Sequence, residues 1–157
     1  MTAGIGWDSH RFAAGRPLIL GGVTIPHDRG LDGHSDADVL THAVIDALLG
    51  AAALGDIGQH FADTDERYRD ADSMVLLRTV VAMLAERGLR VAHVDTTVVM
   101  ERPKLAGHRE AIRASLAAAL GVEPGQVNVK ASTGEGMGFI GREEGVAALA
   151  VATLREA

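Results

Sequence analysis

Residues 145–154 read GVAALAVATL, a strand pattern with small apolar side chains on both faces. Neighbouring side chains of a strand point to opposite sides, so such a segment has to be covered twice. Helices supply one cover. In a chain of 157 residues, enough for one domain with a real core, the second cover is expected to be another copy of the chain.

The helices are legible from their stripes and caps. The first follows HSDAD at 34–38, with Ser35 or Asp36 as N-cap, Leu40, Val44, Ala47 and Leu48 as its stripe, and Gly50 as its stop. The second takes Asp72 or Ser73 as cap and runs through Met74, Leu77, Val81 and Leu84 to Gly88. It reads as purely structural. The third carries Leu105, Ile112, Leu116 and Leu120 and closes at Gly121. Alternation predicts strands at 5–12 and 127–132, β-branched enrichment one at 89–100, and short pieces at 18–20 and 23–25. Residues 26–33 and 59–65 read as loop. The predicted class is α+β: a two-layer α/β sandwich whose mixed sheet of about four to five strands has helices on one face and self-association on the other. Residues 1–157 form a single domain without repeat or linker.

Composition narrows the chemistry. Aromatics are 3% and glycines number 19, so the core is built from Ala, Val, Leu and Ile with close backbone approaches. A net charge of -6 offers no electrostatic case for nucleic acid or an anionic membrane. Absence of cysteine excludes disulfides, a thiol nucleophile and a Cys-based zinc site, and fits a reducing compartment. No apolar run is long enough for a bilayer, and the N-terminus lacks a signal-peptide pattern. A cytoplasmic protein, or a mature form, is expected.

Asp8 and His10 are two apart on a strand and share a face. His42 and Asp46 are four apart on a helix and also share one. Two imidazoles and a carboxylate with an open fourth position suit a catalytic zinc; a structural site would be closed by a fourth protein ligand. Asp46, one turn after His42, is placed to orient a ligand or a substrate group without itself binding the ion. His93 and Asp95 repeat the two-residue spacing, where a polar strand face is the favoured reading. Asp56, between Gly55 and Gly58, marks a tight turn. STGEGMG at 132–138 makes either a glycine-rich hairpin or a backbone concavity that holds an anion through N–H groups.

GIGWDSHRF at 4–12, HSDADVLTHAVIDALLG at 34–50, GDIG at 55–58, FADTD at 61–65 and KASTGEGMGFIGR at 130–142 together resemble the 2-C-methyl-D-erythritol 2,4-cyclodiphosphate synthase family, in order and over nearly the whole chain. The resemblance implies an enzyme of the non-mevalonate isoprenoid route. It converts 4-diphosphocytidyl-2-C-methyl-D-erythritol 2-phosphate into a cyclic diphosphate and CMP by attack of the substrate's own 2-phosphate on its β-phosphate. No protein nucleophile is needed; positioning and charge neutralisation carry the reaction.

By position, the resemblance makes Asp8, His10 and His42 the ligands of one Zn2+ per subunit, and Glu135 the ligand of a Mg2+ or Mn2+ ion bridging the substrate diphosphate. His34 and Thr133 match the catalytic positions that stabilise the transition state, and Ser35 matches a phosphate contact. Asp56, Gly58, Phe61, Ala62, Asp63, Thr64 and Asp65 match the sugar-alcohol side. Met100, Lys104, Leu105, Ala106, Ser132, Thr133 and Gly134 match the cytidine side, and Phe139 and Arg142 match further substrate contacts. The family is a homotrimer with sites between subunits. Ala62, Ala106 and Ser132 stand where the family commonly has proline, a larger apolar residue and threonine, and Trp7 and Ser9 replace the usual Phe and Val. Two other readings use the same metal: a zinc-dependent phosphohydrolase, and a trimeric ligand- or metal-binding protein without turnover.

Overall fold

The computed structural model describes residues 1–157. Its main sheet has the order β4-β1-β7-β5-β6, from β1 (Thr2–Ala13), β4 (Gly30–Leu31), β5 (Leu89–Val99), β6 (Val127–Ser132) and β7 (Gly145–Glu156). β5 and β6 are parallel and the other neighbours antiparallel, so the sheet is mixed, as predicted. β2 (Leu18–Leu20) and β3 (Val23–Ile25) form a separate hairpin. β4 lies in a stretch expected to be loop; its two residues pair with Phe12 and Ala13 at the sheet edge.

α1 (Val39–Ala51), α3 (Ser73–Glu86) and α4 (Arg109–Leu120) cover one face. The register shows which residues they cover. Gly4, Ala152, Val94 and Val127 make one cross-strand row, and Gly6, Ala150, Thr96 and Val129 the next. Those of β5, β6 and β7 are buried beneath the helices. The rows on the opposite face contain Ile5, Trp7 and Val151, which are 68%, 54% and 44% exposed. The chain itself provides no second layer over them. No helix is long and apolar enough to cross a membrane.

Several boundaries differ from the expectation. Asp38, not Ser35 or Asp36, caps α1: its Oδ1 accepts the Thr41 N–H at 3.0 Å. Asp36 is turned away to the start of α3, where it accepts the Ser73 N–H at 3.0 Å. Gly50 does not stop α1; the chain reverses at Ala53, with φ 57, and the Leu54 N–H closes on the Leu49 carbonyl at 2.9 Å. The 59–65 stretch is less irregular than expected. Asp56 caps a short helix, α2 (Ile57–His60), through a reciprocal capping box with Gln59. The second helix is capped by Asp72, one of its two candidates. Leu105 lies ahead of α4 rather than in it, buried in the preceding turn.

β1 meets α1 backbone to backbone. A Cβ built on Gly6 would lie 1.8 Å from the Ala43 carbonyl oxygen, and one on Gly4 2.2 Å from that of Ala47. Gly6→Ala is therefore expected to push α1 off the sheet, at or above the ~1–3 kcal/mol typical of overpacking. Urea denaturation checks it; a loss below about 0.5 kcal/mol would mean that the helix does not sit this close.

Candidate metal centre and a second cleft

The close packing of α1 on β1 carries the chemistry. Asp8 and His10 follow Gly6 on the helix-facing side of β1, and His42 sits in the first turn of α1. Asp8 Oδ2 is 2.9 Å from His10 Nε2 and 3.1 Å from His42 Nδ1. The two ring nitrogens are 3.3 Å apart. A tetrahedral ion with bonds of about 2.0–2.1 Å holds its ligand atoms roughly 3.4 Å from each other. Two imidazole nitrogens and one carboxylate oxygen thus face one point at the spacing that a divalent ion requires.

The surroundings fix both rings. His10 Nδ1 faces the Asp32 carbonyl at 2.8 Å and donates to it, which leaves the Nε2 lone pair turned to the centre. His42 Nε2 faces Ser73 Oγ at 2.8 Å and Ser35 Oγ at 3.2 Å. His42 is buried, at 8% exposure, instead of lying on an exposed helix face as its spacing from Asp46 suggested. Burial by itself would raise the Asp8 carboxyl, but hydrogen bonds and charge from His10 and His42 outweigh it and hold the group at about 2. Burial likewise works against a charged His10, and Asp8 overrides it, raising that imidazole above its ordinary 6.5.

Asp46 makes no hydrogen bond to either histidine. Its Oδ1 accepts the Ile57 N–H at 2.7 Å, so it holds the start of α2. Burial raises its carboxyl, despite that bond. The place beside His42 expected for Asp46 belongs to Ser73 and Ser35. The first residue of α3 thus touches a ring of the candidate triad.

A cleft of about 470 Å³ opens over the triad, and His34, Ser35, Gly58, Phe61, Ala62 and Asp63 line it. The His34 ring is anchored through Nε2 to the Asp65 carbonyl at 2.7 Å. The Asp65 carboxylate is held by Arg67, and hydrogen bonding from that guanidinium lowers its pKa. Asp56 and Thr64 do not line the cleft; Asp56 is spent on capping α2. Tyr68 and Leu76 complete the wall, and nothing in their local spacing pointed to it.

A second cleft, of about 290 Å³, gathers Met100, Lys104, Leu105, Ala106, Ser132 and Thr133 beneath the sheet end of β6. It shares no residue with the first. Asp8 and Ala131 lie on one cross-strand row, separated by β7 and β5, which at about 4.8 Å per strand puts roughly 14 Å between them.

The glycine-rich loop beside the second cleft does hold an anion, but the anion is the chain's own. Glu101 Oε1 accepts the Gly134 N–H at 2.6 Å and the Gly136 N–H at 3.4 Å. Glu135 sits at the exposed tip with φ 55, outside the lining of both clefts. Phe139 shares a small recess with His10, Ser9 and Arg11. Arg142 pairs with Glu144 at 3.4 Å. Asp95 is taken by Lys130 at 2.7 Å and by Asn128, which makes the His93–Asp95 pair part of a polar strand face.

Residues 1–155 match the model of the YgbB family. The chain is 59% identical over 157 residues to the 2-C-methyl-D-erythritol 2,4-cyclodiphosphate synthase of Salinibacter ruber, covering 100% of both sequences. It is 60% identical over 154 residues to the bifunctional enzyme IspD/IspF of Anaeromyxobacter dehalogenans, spanning 98% of this chain and 40% of that one. Among solved structures, bifunctional IspDF from Campylobacter jejuni superposes with a TM-score of 0.96 at 42% identity, over 99% of this chain and 42% of the larger one. A CDP-bound 2C-methyl-D-erythritol-2,4-cyclodiphosphate synthase gives 0.89 at 39% identity, covering 98% and 99%.

His42→Ala is expected to abolish binding of the divalent ion. It should also lose about 1–3 kcal/mol, because a buried ring is removed and the Ser73 and Ser35 hydroxyls each lose one of their partners. Metal analysis and denaturation read both effects; full metal content in the variant would remove His42 from the ligand set. Protons compete with the ion for His10, whose pKa lies above 6.5, while Asp8 stays ionised down to about 2. Affinity in chelator competition should therefore fall already as pH drops towards 6.5, with no separate loss near pH 4.

Proposed function

The chain belongs to the YgbB family, that of the 2-C-methyl-D-erythritol 2,4-cyclodiphosphate synthases, and on that footing we propose how its residues divide the reaction. It is a cyclodiphosphate synthase of the non-mevalonate isoprenoid route. An oxygen of the substrate's 2-phosphate bonds to the β-phosphorus. The bond from that phosphorus to the bridging oxygen breaks, and CMP leaves with the electron pair. No water enters and no protein atom is acylated or phosphorylated.

The convergence of Asp8, His10 and His42 at the floor of the cleft carries this assignment. The donor set fits zinc, which when bound supplies a Lewis acid for a phosphate oxygen. Around it His34, fixed by the Asp65 carbonyl, stands where charge develops on the reacting phosphate. Ser35 lies on the phosphate side, and Gly58, Phe61, Ala62 and Asp63 enclose the methylerythritol. The second cleft takes the cytidine, with Lys104 near the diphosphate and Thr133 at its mouth. Relatives of the same fold with CDP bound support a nucleotide role for it. Glu135, at the exposed tip of the glycine-rich loop, would hold a Mg2+ or Mn2+ ion, which when bound would neutralise diphosphate charge.

His34 and Thr133, both assigned to one transition state, lie in different clefts of one chain. A second copy brings the halves together. A homotrimer in the cytoplasm, with the exposed Ile5, Trp7 and Val151 buried between copies, satisfies both this geometry and the uncovered sheet face.

Three measurements test the proposal. Incubation with substrate is expected to release CMP and a cyclic diphosphate in equal amounts; CMP with a linear bisphosphate would make the chain a phosphohydrolase instead. Native mass should be three times the 16.4 kDa chain, and Trp7→Asp should break the assembly and stop CMP release while each chain keeps its ion. A fully active monomer would refute the shared site. Glu135→Gln should raise the Mg2+ requirement and spare zinc content; an unchanged Mg2+ dependence removes Glu135 from that role.

A further inference from the structure

His42 stands in a line of contacts that the reaction does not explain. Its Nδ1 faces Asp8 Oδ2 at 3.1 Å, and its Nε2 faces Ser73 Oγ at 2.8 Å. Serine, histidine and aspartate in that order resemble a hydrolytic triad. The environment of Ser73 says otherwise. Its side chain has 0% exposure, so no substrate atom reaches the hydroxyl. Its Oγ is 2.5 Å from Asp36 Oδ1, and its own N–H donates to Asp36 Oδ2 at 3.0 Å. Asp36 Oδ1 also accepts the Asp38 N–H at 3.1 Å.

A carboxylate surrounded by donors accepts, and a serine hydroxyl has one hydrogen to give. That hydrogen goes to Asp36. Ser73 Oγ is then left with lone pairs, and the only proton available for the Nε2–Oγ contact is on the ring. Ser35 Oγ, which receives the Ala37 N–H at 3.3 Å, is a second oxygen within 3.2 Å of the same nitrogen.

We propose that Ser73 and Asp36 are positioning residues that lock His42 in its Nε2–H tautomer, so that the Nδ1 lone pair is aimed at the ion held with Asp8 and His10. The proposal rests on the metal reading of that triad. The relay joins two elements: Ser73 opens α3, and Asp36 belongs to the segment that carries His34 and Ser35. That segment is further stitched to α3's approach by Asp36 N–H to the Ala71 carbonyl at 3.0 Å and Asp70 N–H to the His34 carbonyl at 2.8 Å. A polarised hydroxyl behind the imidazole also makes its other nitrogen a better donor to a cation.

Ser73→Ala is the discriminating variant. It keeps the Asp72 cap of α3 and the backbone N–H that Asp36 accepts, so the fold is expected to hold, as thermal denaturation will show. Removal of such a supporting partner lowers metal affinity by about 10–100-fold. With Ser35 still present, the loss should lie near tenfold by chelator competition, and Asp36→Asn should give a smaller loss in the same direction. Nitrogen-15 spectra of the zinc-loaded protein should show the ion on Nδ1 and an Nε2–H protected from exchange in the wild type, and faster exchange of that proton in Ser73→Ala. Turnover of Ser73→Ala should return once zinc is raised to saturation. Three results would overturn the proposal: zinc bound through Nε2 of His42 in the wild type, unchanged zinc affinity in a folded Ser73→Ala, or turnover that stays lost at saturating zinc, the mark of a nucleophilic serine. Should the wild type bind no ion at the triad, the metal reading fails by itself, and exchange of the Nε2 proton in wild type against Ser73→Ala still shows whether Ser73 holds it.

Discussion

The contact between the glycines of β1 and the carbonyls of α1 sets the position of everything chemical in this protein. With Cβ atoms at Gly4 and Gly6 the helix would have to lift, since these atoms would fall 2.2 Å and 1.8 Å from the Ala47 and Ala43 oxygens. Without them the two backbones touch. His42 is the residue before Ala43, and Asp8 and His10 are the next helix-facing positions after Gly6. Three side chains able to hold an ion, on two elements, meet within 3.3 Å because no side chains hold those elements apart.

The orientation of α1 along this contact is held by a buried carboxylate. Asp38 is fully buried and accepts four hydrogen bonds: from the Thr41 N–H and hydroxyl, and from the N–H groups of Gly21 and Gly22. Burial raises its pKa, and the hydrogen bonds oppose that rise. The two glycines have φ of 60° and 78°, so the turn of the β2–β3 hairpin presents both donors to one carboxylate. A fold that buries a charged group in this way must supply every one of its partners, which ties the hairpin, the helix cap and the loop before it into one unit.

The sheet works as a spacer. Two strands separate the cleft over the Asp8–His10–His42 triad from the cleft lined by Lys104 and Thr133. The uncovered face of the same sheet leaves Trp7 and Ile5 exposed. Glu101 plays a related role within the chain. By filling the glycine-rich concavity it braces the loop that carries Thr133 and Glu135, in place of the external anion that the pattern suggested.

The residue string by itself determined what depends on neighbours along the chain. Period two put Asp8 and His10 on one face of β1, the 3.6-residue stripe put Leu40, Val44 and Leu48 in the core, and an apolar run marked β7 as a strand with two apolar faces. It also identified the family through loops that no single periodicity explains. Contacts between distant segments lay outside its reach. Three acidic or hydroxyl residues precede α1 within four positions, and the choice of Asp38 among them follows from where the Gly21–Gly22 turn arrives. Ser73 reads as an ordinary helix start, and only the packing of α3 on α1 brings its hydroxyl to a histidine 31 residues earlier. The same holds for Asp46, aimed at α2 instead of at His42, and for the separation of the two clefts. Local spacing determines the direction in which a side chain leaves its own element. What it meets there depends on strand order and helix placement, which the packing of the whole core decides.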